Sequence, residues 1–346
     1  MRENAVIKNL AIVCSFLLNP ILMAGVGISA TDDFFTNKTV RIIVGFAAGG
    51  GFDIYSRAIA RHMGRHIPGN PSVIVENMTG AGSLLAANHL YKVAKPDGLT
   101  IGNIHGNQIL NQVLGTPGIE FDARRFEWIG VPVKDNGACA LTKASGITSL
   151  DKWMASKTPV KLGGGGAGDT TTTNAKILKE ALNLPIQLVM GYKGTSDMRL
   201  AAESGELAGA CFQWESIKTT WSKGLDSGEV MVVIQTNPKR HPELARVPNA
   251  IDEAKSEDAR QLIRAGLHDP AAMTRPYALP PGTPKERVQL LRKAFLDTLK
   301  DPNFVAEAKK SNLDVDPMSG EELERLIEGF FKLEPTLLAK LKEVLK

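Results

Sequence analysis

Glycine-rich loops are the part of this sequence best suited to binding chemistry. Each follows an apolar, strand-like run and comes directly before a helical pattern; the four lie at residues 47–51, 79–83, 163–168 and 191–196. The first turn of a helix presents unpaired N–H groups and a partial positive charge, which favours an anion there. Glycine lets the backbone itself approach a ligand. Together the loops predict an anion site; the alternative for any single loop is an ordinary tight turn.

A more specific interpretation of these loops is nucleotide binding, but the sequence matches the known nucleotide-binding motifs poorly. Gly163, Gly165 and Gly168 satisfy G-x-G-x-x-G between a strand and a helix. A dinucleotide site also requires an acidic residue at the end of the next strand, which here ends at residues 189–191 without one. The phosphate-loop pattern fails as well, because Phe52 and Asp53 stand where Lys and Ser or Thr are needed.

Residues for catalysis or metal binding are few. The sequence has no Gly-x-Ser-x-Gly nucleophile motif. His62 and His66 are spaced for one helix face but lack the intervening glutamate of a zinc protease, so we expect neither a metal nor a cofactor. His105 follows the third predicted strand at its carboxyl end, where open α/β sheets bind ligands. The alternative is a loop histidine satisfied by local hydrogen bonds.

The N-terminus predicts export. Arg2 and Lys8 precede an apolar run that Asn19 and Pro20 interrupt, and small residues lead to Ala30. This pattern is typical of a secretory signal peptide, with cleavage near Ala30 and a periplasmic location. The alternative, a membrane anchor, needs roughly 20 apolar residues in succession. The formal net charge of +4 is too mild to indicate nucleic-acid binding.

Two cysteines remain after the predicted cleavage, Cys139 and Cys211, both in apolar, strand-like stretches. In an oxidising compartment they could pair. Buried free thiols are the simpler interpretation, and the sequence analysis favours them. Neither cysteine has the close spacing of a metal site.

Strands and helices alternate along most of the chain, which predicts α/β architecture with parallel sheets. The length favours two domains. Predicted strands are residues 40–46, 72–76, 99–104, 159–162, 186–190 and 207–212, and predicted helices include 53–66, 84–94 and 170–182. Near the C-terminus, Thr283 and Ser319 are predicted N-caps; the first helix should stop near Lys300, and Pro335 should kink or end the second.

Several segments resemble the receptors of tripartite tricarboxylate transporters, the TctC or Bug family. They are GFAAGGGFD at residues 45–53, VENMTGAGS at 75–83, KPDGLT at 95–100, GYKG at 191–194 and LPPGTP at 279–284. The resemblance runs from about Val40 to the C-terminal helix. It implies a type II periplasmic-binding-protein fold, in which two α/β lobes joined by crossing strands close on a ligand. The implied division is a signal peptide at 1–30, one lobe from 31–135 with 240–346, and a second from 136–239.

The resemblance also implies that backbone groups of the first lobe grip a carboxylate and that the second lobe closes over it. Combined with the helix-terminus argument, it predicts the following ligand-binding residues: Ala48, Gly49, Gly50, Gly51, Phe52, Asp53, Gly80, Ala81, Gly82, Ser83, His105, Gly166, Gly168, Asp169, Thr170, Lys193, Gly194, Thr195, Ser196 and Glu215.

Two positions bear on the ligand's identity. The family usually has threonine where Phe52 stands, and proline where Ala47 and Ala48 stand. An aromatic ring at Phe52 favours an apolar or aromatic ligand body, unless the ring points into the core. Trp214 and Glu215 follow an apolar strand and could reach the cleft; a glutamate there would disfavour a dicarboxylate by about 1 kcal/mol or more unless compensated.

The predicted function is therefore a monomeric periplasmic receptor that captures a small carboxylate and delivers it to membrane permease subunits. No nucleic-acid partner and no enzymatic activity are expected. Two alternatives remain open at this point. A sensory receptor would use the same two-lobed closure, and an exported α/β enzyme would need a nucleophile–base pair in the cleft.

Overall fold

The computed structural model describes residues 34–166 and 168–346. The predicted signal peptide and its cleavage point lie outside the described residues. Within those ranges, no helix combines the length and apolar character needed to cross a bilayer.

Eleven strands are present in the described chain. They are β1 Thr39–Val44, β2 Ser72–Asn77, β3 Thr100–Asn103, β4 Glu127–Val131, β5 Gly137–Thr142, β6 Val160–Gly163, β7 Ile186–Val189, β8 Gly209–Gln213, β9 Val230–Gln235, β10 Tyr277–Leu279 and β11 Met318–Ser319. The predicted strands differ from these by one or two residues at their ends. Strand β3 is buried along its whole length, as expected for a sheet covered on both faces.

Helices cover both sheets. They are α1 Gly51–Met63, α2 Leu84–Lys92, α3 Asn107–Leu114, α4 Leu150–Met154, α5 Thr170–Leu182, α6 Thr195–Glu203, α7 Trp214–Thr220, α8 Ser222–Asp226, α9 Ala250–Glu253, α10 Glu257–Ile263, α11 Asp269–Ala271, α12 Lys285–Lys300, α13 Pro302–Lys310, α14 Gly320–Phe330 and α15 Pro335–Leu345. A short π-helical segment, Arg264–His268, joins α10 to α11.

The strands form two sheets. The first has the order β11-β4-β10-β3-β1-β2 and the second β7-β6-β8-β5-β9. β1 is parallel to both β2 and β3, and β6 is parallel to both β7 and β8. Parallel neighbours end at the same edge of their sheet. The loops after β1, β2 and β3, and those after β6, β7 and β8, are therefore each gathered at one edge.

Two chain segments connect the sheets: residues 132–136, and the longer stretch between β9 and β10. Within the second, α9 and α10 pack against α5, which lies beside the second sheet, and α15 packs against α5 as well. The largest apolar cluster includes Trp128 from the first sheet and Trp153 from the second half. The two halves thus share packed surface. The exact lobe boundaries stay a prediction.

One of the two predicted helix caps is confirmed: Ser319 with Glu322 forms the predicted capping box of α14. The Asp169 side chain caps α5, which was not predicted. The prediction for Thr283 is wrong, because its hydroxyl donates to the Pro280 carbonyl and the N-cap of α12 is Pro284. Helix α12 ends at Lys300 as predicted. Pro335 neither kinks nor ends a helix but opens α15.

The expectation of free thiols is also wrong. Cys139 in β5 and Cys211 in β8 form a disulfide. The two residues are direct partners in the antiparallel β5–β8 ladder, with their Cα atoms 3.9 Å apart. Strand pairing brings the thiols together although 72 positions separate them in the sequence. Local sequence carried no information about that register.

Candidate functional site

A cavity of about 370 Å³, counting its open mouth, lies between the two sheets. Its walls on the first side come from Phe46, Gly50, Gly51, Phe52 and His105. The second side contributes the starts of α5 and α6, with Tyr192, Met198 and Gln213. We call this space the main cavity.

Three helices begin at the main cavity: α1 at Gly51, α5 at Thr170 and α6 at Thr195. Their first-turn N–H groups and their dipoles favour negative charge. None of the described lining residues is a lysine or arginine. An anion in this space would therefore be held by backbone groups and hydroxyls from both halves of the molecule.

Asp169 limits how far the N-terminus of α5 can contribute to anion binding. Its carboxylate accepts the Thr171 N–H at 2.9 Å and also bonds the Thr171 hydroxyl. Burial raises the pKa of this carboxyl, and the hydrogen bonds from Thr171 oppose that rise. Since Asp169 already occupies the N-terminus of α5, α1 and α6 are the better anion-binding ends.

One wall of the main cavity is aromatic. The ring centroids of Phe46 and Phe52 are 4.5 Å apart, and that of His105 lies 5.3 Å from Phe52 and 5.5 Å from Phe46. Phe52 is buried, yet its ring forms part of the cavity surface. Phe52 therefore packs in the core and also faces the cleft, so both alternatives predicted for it apply. A ligand in this cavity meets a substantially apolar surface.

His105 joins the two halves across the cavity. Its Nδ1 accepts the Asn107 N–H at 2.9 Å, so Nε2 carries the proton and donates to Thr170 Oγ1 at 2.7 Å. Burial, aided by the nearby Arg275 charge, lowers the pKa of His105 to about 3. The imidazole is thus a neutral donor that links the end of β3 to the start of α5.

A buried charge cluster lies behind the aromatic wall. Arg275 Nε donates to Asp135 at 2.9 Å, Nη2 donates to Ser216 Oγ at 2.9 Å, and the Arg275 and Asp135 side chains are fully buried. The guanidinium stacks 5.0 Å from the Phe52 ring centroid. Burial raises the pKa of Asp135 well above its usual range, with Arg275 opposing the rise. The cluster ties the 132–136 connection to α7 and to the segment before β10.

Glu215, in α7, bonds the 132–136 connection and does not line the main cavity. Its carboxylate accepts the Asn136 N–H at 3.0 Å and the Asn136 side-chain amide at 2.7 Å. Trp214 likewise turns away, donating its Nε1 hydrogen to Glu243. The suggestion that Glu215 faces the ligand is therefore corrected. The argument that Glu215 selects against dicarboxylates therefore no longer applies.

The glycine loops of the two halves touch each other directly. The Ala47 N–H donates to the Lys193 carbonyl at 3.1 Å, and Ser196 Oγ donates to the Ala48 carbonyl at 3.2 Å. A Cβ placed on Gly166 would lie 2.8 Å from backbone atoms of Ala81, closer than real contacts allow. Glycine at this position permits close approach of the two lobes to one another. The arrangement is a closed one.

The predicted site residues divide into three groups. Those lining the main cavity are Gly50, Gly51, Phe52, His105, Asp169, Thr170, Gly194 and Thr195. A neighbouring cavity of about 370 Å³, counting its open mouth, is lined by Gly80, Ala81, Gly82, Ser83, Gly166 and Lys193. Residues outside both are Ala48, Gly49, Asp53, Gly168, Ser196 and Glu215.

Residues in the third group shape the loops instead. The Asp53 carboxylate accepts the Gly49 N–H at 2.9 Å and bonds Arg57 and Asn77, which fixes the turn before α1. The Gly168 carbonyl accepts from the side-chain amides of Asn107 and Asn111, across the interface between the halves. His62 and His66 are remote from the site and bond Glu307 and Asp301.

Five lining residues were not predicted: Phe46, Thr171, Tyr192, Met198 and Gln213. Gln213 had a usable signal, because it is a polar residue at the carboxyl end of an otherwise apolar strand. Tyr192 lies inside the GYKG motif, which was noted without its side chain being assigned. Met198, one turn into α6, had no signal apart from helix geometry.

Two α/β halves, connected by two segments and closed on a cavity at the carboxyl ends of their strands, define a two-lobed solute-binding protein of the periplasmic type. Residues 56–342 match the tripartite tricarboxylate transporter family receptor. This match covers most of the chain, and the protein belongs to that family of solute-binding receptors. The resemblance and the fold predicted from the sequence are confirmed.

Known relatives agree with this assignment. A UPF0065 protein of Cupriavidus necator is 25% identical in an alignment of 336 residues that covers 92% of this chain and 92% of the relative. The periplasmic binding protein BugD is 22% identical with a TM-score of 0.71, over 89% of this chain and 97% of BugD. MatC of Rhodopseudomonas palustris, solved with malate bound, is 20% identical with a TM-score of 0.69, over 89% and 99%. At these identities the solved structures establish the fold alone.

Proposed function

We propose that this protein captures a small carboxylate in the main cavity and delivers it to the membrane permease of a tripartite transporter. The observation that carries the proposal is the convergence of the α1 and α6 N-termini, from opposite lobes, on one cavity. Such a site binds an anion only when both lobes are closed around it. Ligand binding then favours the closed arrangement.

Relatives support the carboxylate in this proposal. MatC was solved with malate, and another R. palustris protein, 21% identical with a TM-score of 0.68 over 88% of this chain and 97% of that one, was solved with adipate. Both ligands carry carboxylates, which helix N-termini suit. The aromatic wall here favours a ligand with an apolar body.

The remaining parts of the proposal extend the family assignment. The chain is exported to the periplasm, acts as a monomer and docks on permease subunits after closing. It performs no covalent chemistry. In support of that last point, the imidazole of His105 donates to the Thr170 hydroxyl and so is not placed to accept its proton.

Thermal unfolding with a ligand panel tests the proposal. The panel contains mono-, di- and tricarboxylates, aromatic acids and acidic amino acids. A carboxylate that binds the native state raises the melting temperature with concentration, following RT ln(1 + [L]/Kd). Melting curves that stay flat across the whole panel would contradict a carboxylate receptor.

A matched pair of variants checks the location. Thr195→Asp places a fixed carboxylate at the first residue of α6, where it competes for the same N–H groups while stabilising the helix. We expect it to weaken binding of any panel carboxylate by about tenfold or more, which corresponds to about 1.4 kcal/mol. Thr195→Ser keeps the hydroxyl and should bind normally. Equal affinities for the two variants would place the anion elsewhere.

A further inference from the structure

A second cavity of about 320 Å³, counting the open space at its mouth, lies beside the main cavity, between the lobes and the segment around α11. Thr170 and Gln213 line both spaces, so the two cavities are neighbours. Its polar side chains are Asn107, Thr170, Asn174, Gln213, Thr236 and Thr274. We call this space the polar compartment.

Two amides in the polar compartment have unused hydrogen-bonding capacity. Asn174 and Gln213 are each 5% exposed. Within residues 34–166 and 168–346, neither side chain makes a hydrogen bond, whereas Asn107 donates to Gly168 and Thr274 donates to Ala271. Buried amides are normally paired, because an unpaired one loses its hydration without compensation. Both amides therefore face the compartment with hydrogen-bonding capacity that a polar occupant, water or ligand, can use.

The lack of charged groups in the compartment limits which chemical groups could occupy it. None of its described lining residues is ionisable. A carboxylate or ammonium group placed there would lose its hydration with no counter-charge to offset the loss. A methyl group would leave both amides unpaired. An uncharged group that both donates and accepts, such as a carboxamide, matches the two amides best.

We propose that the ligand is bipartite: its carboxylate lies at the helix N-termini of the main cavity, and an uncharged hydrogen-bonding end occupies the polar compartment beside Asn174 and Gln213. This inference rests on the proposed function. It adds a specificity determinant, since the second end of the ligand is selected for being polar and neutral.

Three matched sets of acids test the inference by calorimetric titration. Each set has a methyl end, a carboxamide end or a second carboxylate on the same spacer: butanoate, succinamate and succinate; hexanoate, adipamate and adipate; 4-methylbenzoate, 4-carbamoylbenzoate and terephthalate. In the set whose spacer fits, we expect the monoamide to bind about tenfold more tightly than both analogues. A diacid or methyl-ended acid that matches or exceeds its monoamide in every set overturns the inference.

Near-isosteric variants locate the effect. Asn174→Leu and Gln213→Met keep side-chain volume and remove the amide, so the preference for the monoamide over the methyl-ended acid should fall to about twofold or less. Asn174→Ala provides a second test should Asn174→Leu fold poorly. A monoamide preference that persists in these variants overturns the assignment. If none of the nine acids binds but a carboxylate of the thermal panel does, the inference is overturned and the proposed function stands. If no acid of either series binds the wild-type protein, the proposed function itself fails.

Discussion

At His105, one imidazole makes two hydrogen bonds that only its neutral form can make together. Nδ1 accepts from Asn107 in its own lobe, and Nε2 donates to Thr170 in the other. Protonation would put a hydrogen on Nδ1, facing the Asn107 N–H. Burial and the Arg275 charge keep the pKa at about 3, so the bridge persists at neutral pH. The closure of the lobes is thus linked to the protonation of one side chain.

The stability of the protein should depend on pH through His105. An unfolded histidine binds a proton below about pH 6.5, whereas folded His105 does so only near pH 3. The stabilisation of the neutral form is therefore complete above about pH 6.5 and is lost as pH falls towards 3. Between pH 7.5 and 5, we expect the wild type to lose about 2 kcal/mol more unfolding free energy than His105→Gln. Urea titrations at both values measure this. Parallel pH profiles would contradict it.

At the scale of elements, the glycine loops act as contact surfaces between lobes as well as helix starts. The sequence analysis explained the glycines of these loops by the close approach of a ligand. In the closed arrangement, Gly166 faces Ala81, Gly82 faces Asp169 and Gly194 faces Ala47. These contacts join backbone to backbone across the cleft, so a Cβ at Gly166 would hold the lobes apart.

Gly166→Ala should therefore weaken ligand binding more than folding. Its Cβ would lie 2.8 Å from Ala81 backbone atoms only when the lobes are closed, so the open form can accommodate it. We expect affinity for a panel carboxylate to fall by about tenfold, about 1.4 kcal/mol, with little change in ligand-free unfolding.

Gly329→Ala is the matched control, because a Cβ on this α14 glycine meets no atom within 4 Å. It should bind normally and gain about 0.5–1 kcal/mol of stability from its helical position. Normal binding by Gly166→Ala would show that the closed contacts do not govern affinity.

At the scale of the whole molecule, two sheets are joined by two segments, and buried polar contacts gather at one of them. The Arg275–Asp135 pair and the Glu215–Asn136 contacts lie where both lobes meet the 132–136 segment. Buried charged groups favour a single geometry, because any other geometry would leave a charge without a partner and without solvent. The disulfide adds a further constraint inside the second sheet, between β5, which continues directly from that connection, and β8.

Reduction of the Cys139–Cys211 disulfide should lower stability by about 2–4 kcal/mol, because the bond closes a long loop in the unfolded chain. The separation is 72 residues. Urea unfolding with and without dithiothreitol measures the difference. The double variant Cys139→Ala with Cys211→Ala serves as a control and should give one value under both conditions. Identical curves for oxidised and reduced wild type would contradict the expected contribution.

Features set by short stretches of sequence were predictable. Ser319 caps its helix as predicted, because a cap depends on residues only three or four apart. The α5 bounds were predicted to the residue, and the strand-loop-helix order placed eight of the twenty site residues on the main cavity. The family motifs are local too, and they identified the receptor fold.

Tertiary structure decided what depends on the meeting of distant segments. The register of the β5–β8 ladder pairs two cysteines. The Glu215 carboxylate bonds the 132–136 connection, and Gln213 and Tyr192 line the cleft. The tertiary structure also showed that the glycine loops meet each other. The sequence alone determined that helix starts and glycines would gather at strand ends, since that follows from periodicity and turn chemistry. Which side chains face the cavity follows from packing between segments far apart in the chain, and local residue order does not encode it.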